Sequence, residues 1–254
     1  MLQSCKYCDS PITQTAKYCG GCGKPIKQGN EGIESKSVQL VIAFYIAFLL
    51  YSIVTYIVYK DEVTSLTTEI IIESIFIGLT LIFSFFDAKK ILYLYNIKNI
   101  SWQNLAFAIV FPIFTAAIVY FGVEAVNVFL FEVTDNIFYD YAAYENPLFW
   151  ALLFTAIFPP IFEELAFRGF LFNQLRNFAN PWVTIIATAF IFALVHFSFI
   201  SILWIFPFGL VLGYLRYRYK TLWLGMIVHF IHNLLILMID YYYFQNDPFK
   251  DLFL

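Results

Sequence analysis

Charge is scarce in this chain. Asp, Glu, Lys and Arg make up only 13% of its 254 residues, fifteen basic against eighteen acidic. A domain of this length dissolved in water needs roughly a quarter or more of its surface charged, so a soluble globular fold is excluded, and no basic patch points to nucleic acid. Histidine is scarcer still, with three copies, and cysteine is confined to Cys5, Cys8, Cys19 and Cys22. The chain beyond residue 22 can therefore form no internal disulfide. No apolar run opens the sequence, so no cleaved leader is expected and the first apolar span should act as its own uncleaved signal. Also missing are the G-x-S-x-G elbow, the H-E-x-x-H zinc helix and the P-loop, which removes the commonest hydrolase and nucleotide-binding frameworks.

What fills the chain is apolar: 61% hydrophobic and 21% aromatic residues, with a mean hydropathy of +0.74. A helix needs about 20 apolar residues to cross the hydrocarbon core. Runs of that order lie at 38–59, 68–86, 103–123, 147–170, 181–199, 201–217 and 221–243. The expectation is an all-α polytopic membrane protein of about seven transmembrane helices. If the N-terminus is cytoplasmic, Lys6, Lys17, Lys24, Lys27, Lys36, Lys89, Lys90, Lys98, Arg168, Arg176, Arg216, Arg218 and Lys220 fall inside and only Lys60 and Lys250 outside. The positive-inside rule thus selects N-in, C-out. The external stretch 124–146 carries Glu124, Glu132, Asp135, Asp140 and Glu145 without Lys or Arg, and its aromatic content predicts an interfacial segment. Domain organisation follows: 1–28, a linker at 29–37 (GNEGIESKS), three spans and the external segment at 38–146, four further helices at 147–243, and a tail at 244–254.

Cys5-Lys6-Tyr7-Cys8 and Cys19-Gly20-Gly21-Cys22 are two CxxC knuckles. Gly20, Gly21 and Gly23 let the backbone turn tightly enough for four thiolates to face one ion. The spacing predicts a zinc ribbon holding structural Zn2+, the metal supplying folding free energy that so short a segment cannot obtain from burial. The alternative is disulfides or free thiols, and a cytoplasmic location disfavours disulfides. The ribbon's role is read as a folded cap or as a docking point for a cytoplasmic partner.

Ionisable groups at the centre of a span cost about 2.5 to 3.5 kcal/mol each on insertion scales, so three places need a reason. Span four carries Glu163-Glu164-Leu165-Ala166-Phe167-Arg168 after Pro159-Pro160. Glu164 and Arg168 are four apart with the acid first, the favourable order for an ion pair, while Glu163 points about 100° away and is left free. Span five carries Phe192 to His196, and span seven carries His229, His232 and Asn233. A lone intramembrane His is more often a hydrogen-bonded packing residue. Together, a free carboxylate and an imidazole can activate water, and a second imidazole with a carboxamide can hold an oxyanion, a complete set for peptide hydrolysis.

The motifs E-E-x-x-x-R at 163–168, F-x-x-x-H at 192–196 and H-x-x-x-N at 229–233 resemble those of the CPBP family: type II CAAX prenyl proteases, bacteriocin-processing enzymes and Abi self-immunity proteins. The resemblance covers about 147–243, a four-helix catalytic core. It implies that Glu163 and His196 activate water, that His229 and Asn233 hold the oxyanion, and that Glu164 and Arg168 support the geometry. His232 matches no motif position. Family members are called metalloproteases, and three His with two Glu would suffice for a catalytic metal; water activated by glutamate without a tightly bound metal is the reading adopted.

The leading expectation is an intramembrane endopeptidase acting on peptide or membrane-protein substrates, CAAX-type or in bacteriocin maturation or self-immunity. A composition heavy in Phe, Ile, Tyr and Lys suits an AT-rich bacterial genome, hence a bacterial plasma membrane and a substrate without a prenyl group. Two other classes compete: a non-catalytic scaffold or immunity protein recruiting its partner through the ribbon, and a cation or proton transporter using the intramembrane Glu and His.

Overall fold

A computed structural model describes residues 3–4, 8, 10–12, 19, 21–23, 31–60, 65–126, 136–197 and 199–246. Cys5, residues 127–135 of the external segment and residues 247–254 lie outside them. At the N-terminus β1 (Gln3–Ser4) and β2 (Pro11–Ile12) pair antiparallel, Gln3 opposite Ile12. The main helices are α1 Glu31–Tyr59, α2 Leu66–Phe85, α3 Ala88–Tyr93, α4 Trp102–Ile118, α5 Pro147–Arg176, α6 Pro181–Leu194, α7 Phe199–Tyr219 and α8 Trp223–Asn246.

Helix starts are written locally. Ser65, Ser101 and Asn180 each accept, through a side-chain oxygen, the backbone N–H three residues on, at Thr68 (3.2 Å), Asn104 (3.3 Å) and Val183 (3.0 Å). These caps satisfy N–H groups that a helix cannot satisfy itself. Pro181 occupies the first position of α6, where a missing N–H is harmless. The expected linker at 29–37 differs from the structure, because α1 begins at Glu31. Ser37 is buried, donating to Gln174 Oε1 at 3.0 Å and accepting from Asn177 Nδ2 at 2.8 Å, and these bonds to the end of α5 draw the segment into the helix.

Among the described residues, five helices are long and apolar enough to span a bilayer: Glu34–Tyr59, Leu66–Phe85, Trp102–Gly122, Pro147–Arg176 and Trp223–Asn246. α7 has 21 residues and α6 has 14. The α1 residues Ile42, Ile46 and Leu50, four apart, are all exposed. Such a stripe belongs against lipid, where packing rather than water exclusion holds helices together. The inner faces pack through aromatics: Phe44 and Phe48 of α1 stack at 4.2 Å and meet Phe167 of α5 edge-on at 5.6 and 5.7 Å. α1 is thereby packed against α5.

Two ends of the molecule differ in charge. One end joins 86–101, 173–180 and 216–223 through Leu222 N–H to Leu94 O (3.0 Å), Asn99 Nδ2 to Tyr219 O (3.0 Å) and Asn173 Nδ2 to Asp87 Oδ2 (2.8 Å). It carries Lys36, Lys89, Lys90, Lys98, Arg176, Arg218 and Lys220. At the other end, Tyr59 donates to Glu69 Oε2 (2.7 Å), and Asp240 Oδ2 accepts from Ile137 N–H (3.0 Å), pinning the 3-10 turn Ile137–Tyr141.

Candidate active site within the helix bundle

α5 is not a regular helix. It widens to π geometry at Leu152–Ile157 and again at Glu164–Leu171, with the α turn Phe158–Glu163 between them. Such widened turns shift the phase of the residues that follow and recur at functional sites. Here the second one starts at Glu164, so the two neighbouring carboxylates leave the helix in different directions.

Glu164 and Arg168 are essentially removed from solvent, at 1% and 0% exposure, and Arg168 Nη1 donates to Glu164 Oε1 at 2.8 Å. This is the ion pair that the spacing implies. Arg168 is held further: Nη2 donates to Gly209 O at 3.4 Å, and its guanidinium lies 4.2 Å from the centroid of the Phe192 ring, a cation–π contact. Its carbonyl oxygen accepts from Arg216 Nε at 2.9 Å, Arg216 Nη2 donates to Asn173 Oδ1 at 2.7 Å, and Asn173 reaches Asp87. A chain of polar contacts thus runs from the basic end of the molecule to Glu164.

Two glycines make room for this pair. A Cβ at Gly225 of α8 would stand 2.6 Å from Glu164 Oε2, and one at Gly209 of α7 would stand 3.1 Å from Ala189 Cβ and 3.3 Å from Arg168 Nη2. At Gly213 a Cβ would meet Ile185 Cγ2 at 3.2 Å, so Gly209 and Gly213 form the close α6–α7 contact that a GxxxG pair permits.

His229 sits between the two carboxylates. Its Nδ1 is 3.5 Å from Glu164 Oε1 and its Nε2 is 3.7 Å from Glu163 Oε2. Both separations exceed a hydrogen bond. Among the described residues, five buried side-chain atoms lack a hydrogen-bond partner, and three of them, Glu164 Oε2, Arg168 Nε and His229 Nδ1, are in this cluster. Unsatisfied buried polar groups are costly and concentrate where chemistry needs them.

His196 does not lie on a helix as the sequence suggests. α6 stops at Leu194, and His196 occupies the turn that follows, before Phe197 in the left-handed region at φ 51°. Its Nδ1 lies 2.7 Å from Phe192 O, one of the last carbonyls of α6. A carbonyl only accepts, so Nδ1 carries the proton and the neutral ring offers an unprotonated Nε2. The Phe192 ring links the two imidazoles, 4.9 Å from that of His196 and 6.2 Å from that of His229. One ring of α6 thus faces both imidazoles.

Asn233 donates through Nδ2 to Thr155 O at 2.9 Å, where the first π turn of α5 frees a carbonyl. One amide proton and Oδ1 remain for a substrate. His232 faces away from the carboxylates. Thr115 Oγ1 donates to Pro112 O at 3.1 Å and lies 3.0 Å from His232 Nδ1, so Nδ1 is the donor there. Trp204 and Phe208 cover the ring at 5.6 and 4.9 Å. His232 ties α8 to α4 and α7. Sequence reasoning missed Phe192 as a bridge, Thr155, Gly225, and the run Arg216, Asn173 and Asp87. An Arg inside the last turns of an apolar helix was the one signal that could have found any of them.

The donors of Glu163, His196 and His229 do not gather as a metal site would require. Among the described residues, the one group of three or more ligand atoms within 4.8 Å of one another is Cys8, Cys19 and Cys22. As arranged, the intramembrane residues fit no three-donor metal centre. The cysteines do fit a metal. Cys8 Sγ and Cys19 Sγ are 3.5 Å apart, Gly21 N–H donates to Cys19 Sγ at 3.4 Å, and Gly23, at φ 68°, turns the knuckle back with its N–H on Cys19 O at 2.8 Å. The hydroxyl and backbone of Ser10, with smaller help from Cys22 and Cys19, lower the Cys8 thiol to about 6, so it is largely thiolate at neutral pH.

Residues 145–235 match the family of the type II CAAX prenyl endopeptidase Rce1-like proteins. UPF0177 protein YaiH of Lactococcus lactis subsp. lactis (strain IL1403) is 28% identical over 167 residues, 64% of this chain and 66% of that protein. UPF0177 protein YbdI of the same strain is 29% identical over 96 residues, 36% of this chain and 50% of that protein. No solved structure matches.

Proposed function

Because residues 145–235 match the type II CAAX prenyl endopeptidase Rce1-like family, we propose that this integral membrane protein is a CPBP-type endopeptidase that uses Glu163 to cleave peptide or membrane-protein substrates. The observation that carries the reading is the pair of unbonded faces at 3.7 Å, Glu163 Oε2 and His229 Nε2, set above a fixed Glu164–Arg168 pair. Glu163 takes up one proton of a water that the free Nε2 of His196 holds by accepting its other hydrogen, and the water oxygen attacks the substrate carbonyl carbon. With its proton on Nε2, His229 donates to the oxyanion, and the unused amide proton of Asn233 does the same. Collapse breaks the C–N bond, and the proton held at Glu163 passes to the leaving amine.

The remaining assignments complete this reading. The cysteines hold structural Zn2+, with Cys5 as the fourth ligand of Cys8, Cys19 and Cys22. The basic end faces the cytoplasm of a bacterial cell, seven helices cross the plasma membrane, and the ribbon is available there to a cytoplasmic partner. Bacteriocin maturation or self-immunity is the favoured setting.

The test is a fluorogenic peptide screen of the detergent-solubilised chain beside Glu163→Gln and His196→Ala, all three shown folded by circular dichroism. Cleavage by the wild type alone is expected. Cleavage that survives in both variants would assign the polar residues to packing. Function in cells that Glu163→Ala leaves intact would favour the scaffold reading.

A further inference from the structure

A second site lies outside the peptidase cluster, at the basic end. A cavity of about 530 Å3 opens there between the end of α5, the end of α7 and Tyr93 of α3. Four cations line it, Arg176, Arg216, Arg218 and Lys220, and no acidic residue does. The nearest carboxylate, Asp87, is already engaged by Asn173 Nδ2 at 2.8 Å and by Lys90 at 3.7 Å. Arg216 forms a fixed floor: it is 8% exposed, its Nε and Nη2 are bonded to Arg168 O and Asn173 Oδ1, and its guanidinium stands 5.2 Å from the Phe172 ring centroid. Arg176, Arg218 and Lys220 are exposed around it, without an acidic partner among the described residues. Lys220 holds a left-handed backbone, φ 52°, closing α7 through its N–H on Arg216 O at 3.1 Å. Glycine is the unstrained choice at such a position, and the lysine there keeps an ammonium on the cavity.

We propose that this cavity binds the phosphate of an anionic phospholipid headgroup. Its chemistry suits any phosphate, and its position selects the lipid. Exposed Tyr93 and Tyr217 line it, as at the level where spans leave the hydrocarbon, and exposed Leu92 beside it offers a track for an acyl chain. Basic pockets between helices at this level recognise such headgroups. The site does not depend on the peptidase reading, although Arg216 joins it to the carbonyl of Arg168.

The test uses the full chain purified from bilayers of phosphatidylglycerol and phosphatidylcholine, with retained lipid counted by native mass spectrometry. Phosphatidylglycerol should be retained over phosphatidylcholine. Arg176→Gln/Arg218→Gln/Lys220→Gln should retain about tenfold less. Lys36→Gln/Lys89→Gln/Lys98→Gln, which removes the same charge from the same end outside the cavity, should retain the wild-type amount. Lys220→Gln alone should lose about threefold, so a triple variant that fails to fold leaves the test standing. Equal retention by the cavity variants and the wild type would overturn the proposal, as would an equal loss in the control. Thermal stabilisation by inorganic phosphate matching that by short-chain phosphatidylglycerol would overturn the lipid assignment and leave a small-anion site.

Discussion

At the scale of single residues, the proposed peptidase separates groups that react from groups that hold. Glu163 faces His229 at 3.7 Å and is the carboxylate free to take a proton. Glu163→Gln keeps the shape and removes the base, so turnover should fall about 100-fold or more with little change in unfolding temperature. Glu164 is the holding carboxylate, and Gly225 gives it room. Gly225→Ala places a methyl 2.6 Å from Glu164 Oε2, and the forced shift should cost about 1–3 kcal/mol as well as activity. Thermal unfolding in detergent measures the first effect, and an unchanged midpoint would mean that Glu164 is not packed against α8. The ion pair of Glu164 and Arg168 was legible in the sequence, because a four-residue separation within one helix fixes it. The approach of Glu163 to His229 was not, because it depends on how α5 and α8 pack and on a change of helix type that no residue pattern announces.

Elements carry the positions of these groups. α6 and α7 meet at Gly209 and Gly213, against Ala189 and Ile185, and this contact sets where the Phe192 ring lies between the two imidazoles. Gly213→Leu should pry the pair apart, lowering thermal stability and activity together, whereas the same substitution at Gly78, where a Cβ would meet nothing within 4 Å, should leave both nearly unchanged. Gly209 and Gly213 are four apart, the spacing at which two glycines share one helix face and admit a neighbouring helix. The end of α6 was not readable, since apolar residues run on past Leu194. His196 instead caps the helix by bonding Phe192 O, so it sits on a turn. The start of α1 was missed for a similar reason: Ser37 looks like linker in the sequence and becomes helix through its bonds to Gln174 and Asn177.

Across the whole molecule, a bundle with lipid-facing aliphatic stripes carries most of its described basic residues at one end and a cysteine cluster at its N-terminus. Scarcity of charge made the membrane class plain from composition, and cysteine spacing pointed to the cluster in which Cys8, Cys19 and Cys22 come together. Lowering of the Cys8 thiol to about 6 gives the cluster a pH limit. Protons and a metal compete for the thiolates, so zinc loaded onto the cluster should stay bound at neutral pH and be released as pH falls below the value of the metal-free thiol. Titration with a chromophoric chelator checks this, and Ser10→Ala, which removes the largest cause of the lowering, should move the release to higher pH.

The most direct test of the peptidase claim is hydrolysis in heavy-oxygen water. The full chain and Glu163→Gln would be reconstituted with a cleavable membrane peptide, and the fragments weighed. The wild type should release a fragment whose new carboxyl group carries one heavy oxygen, and Glu163→Gln should release none. Cleavage persisting in Glu163→Gln, or fragments lacking the heavy oxygen, would contradict a water activated at that carboxylate.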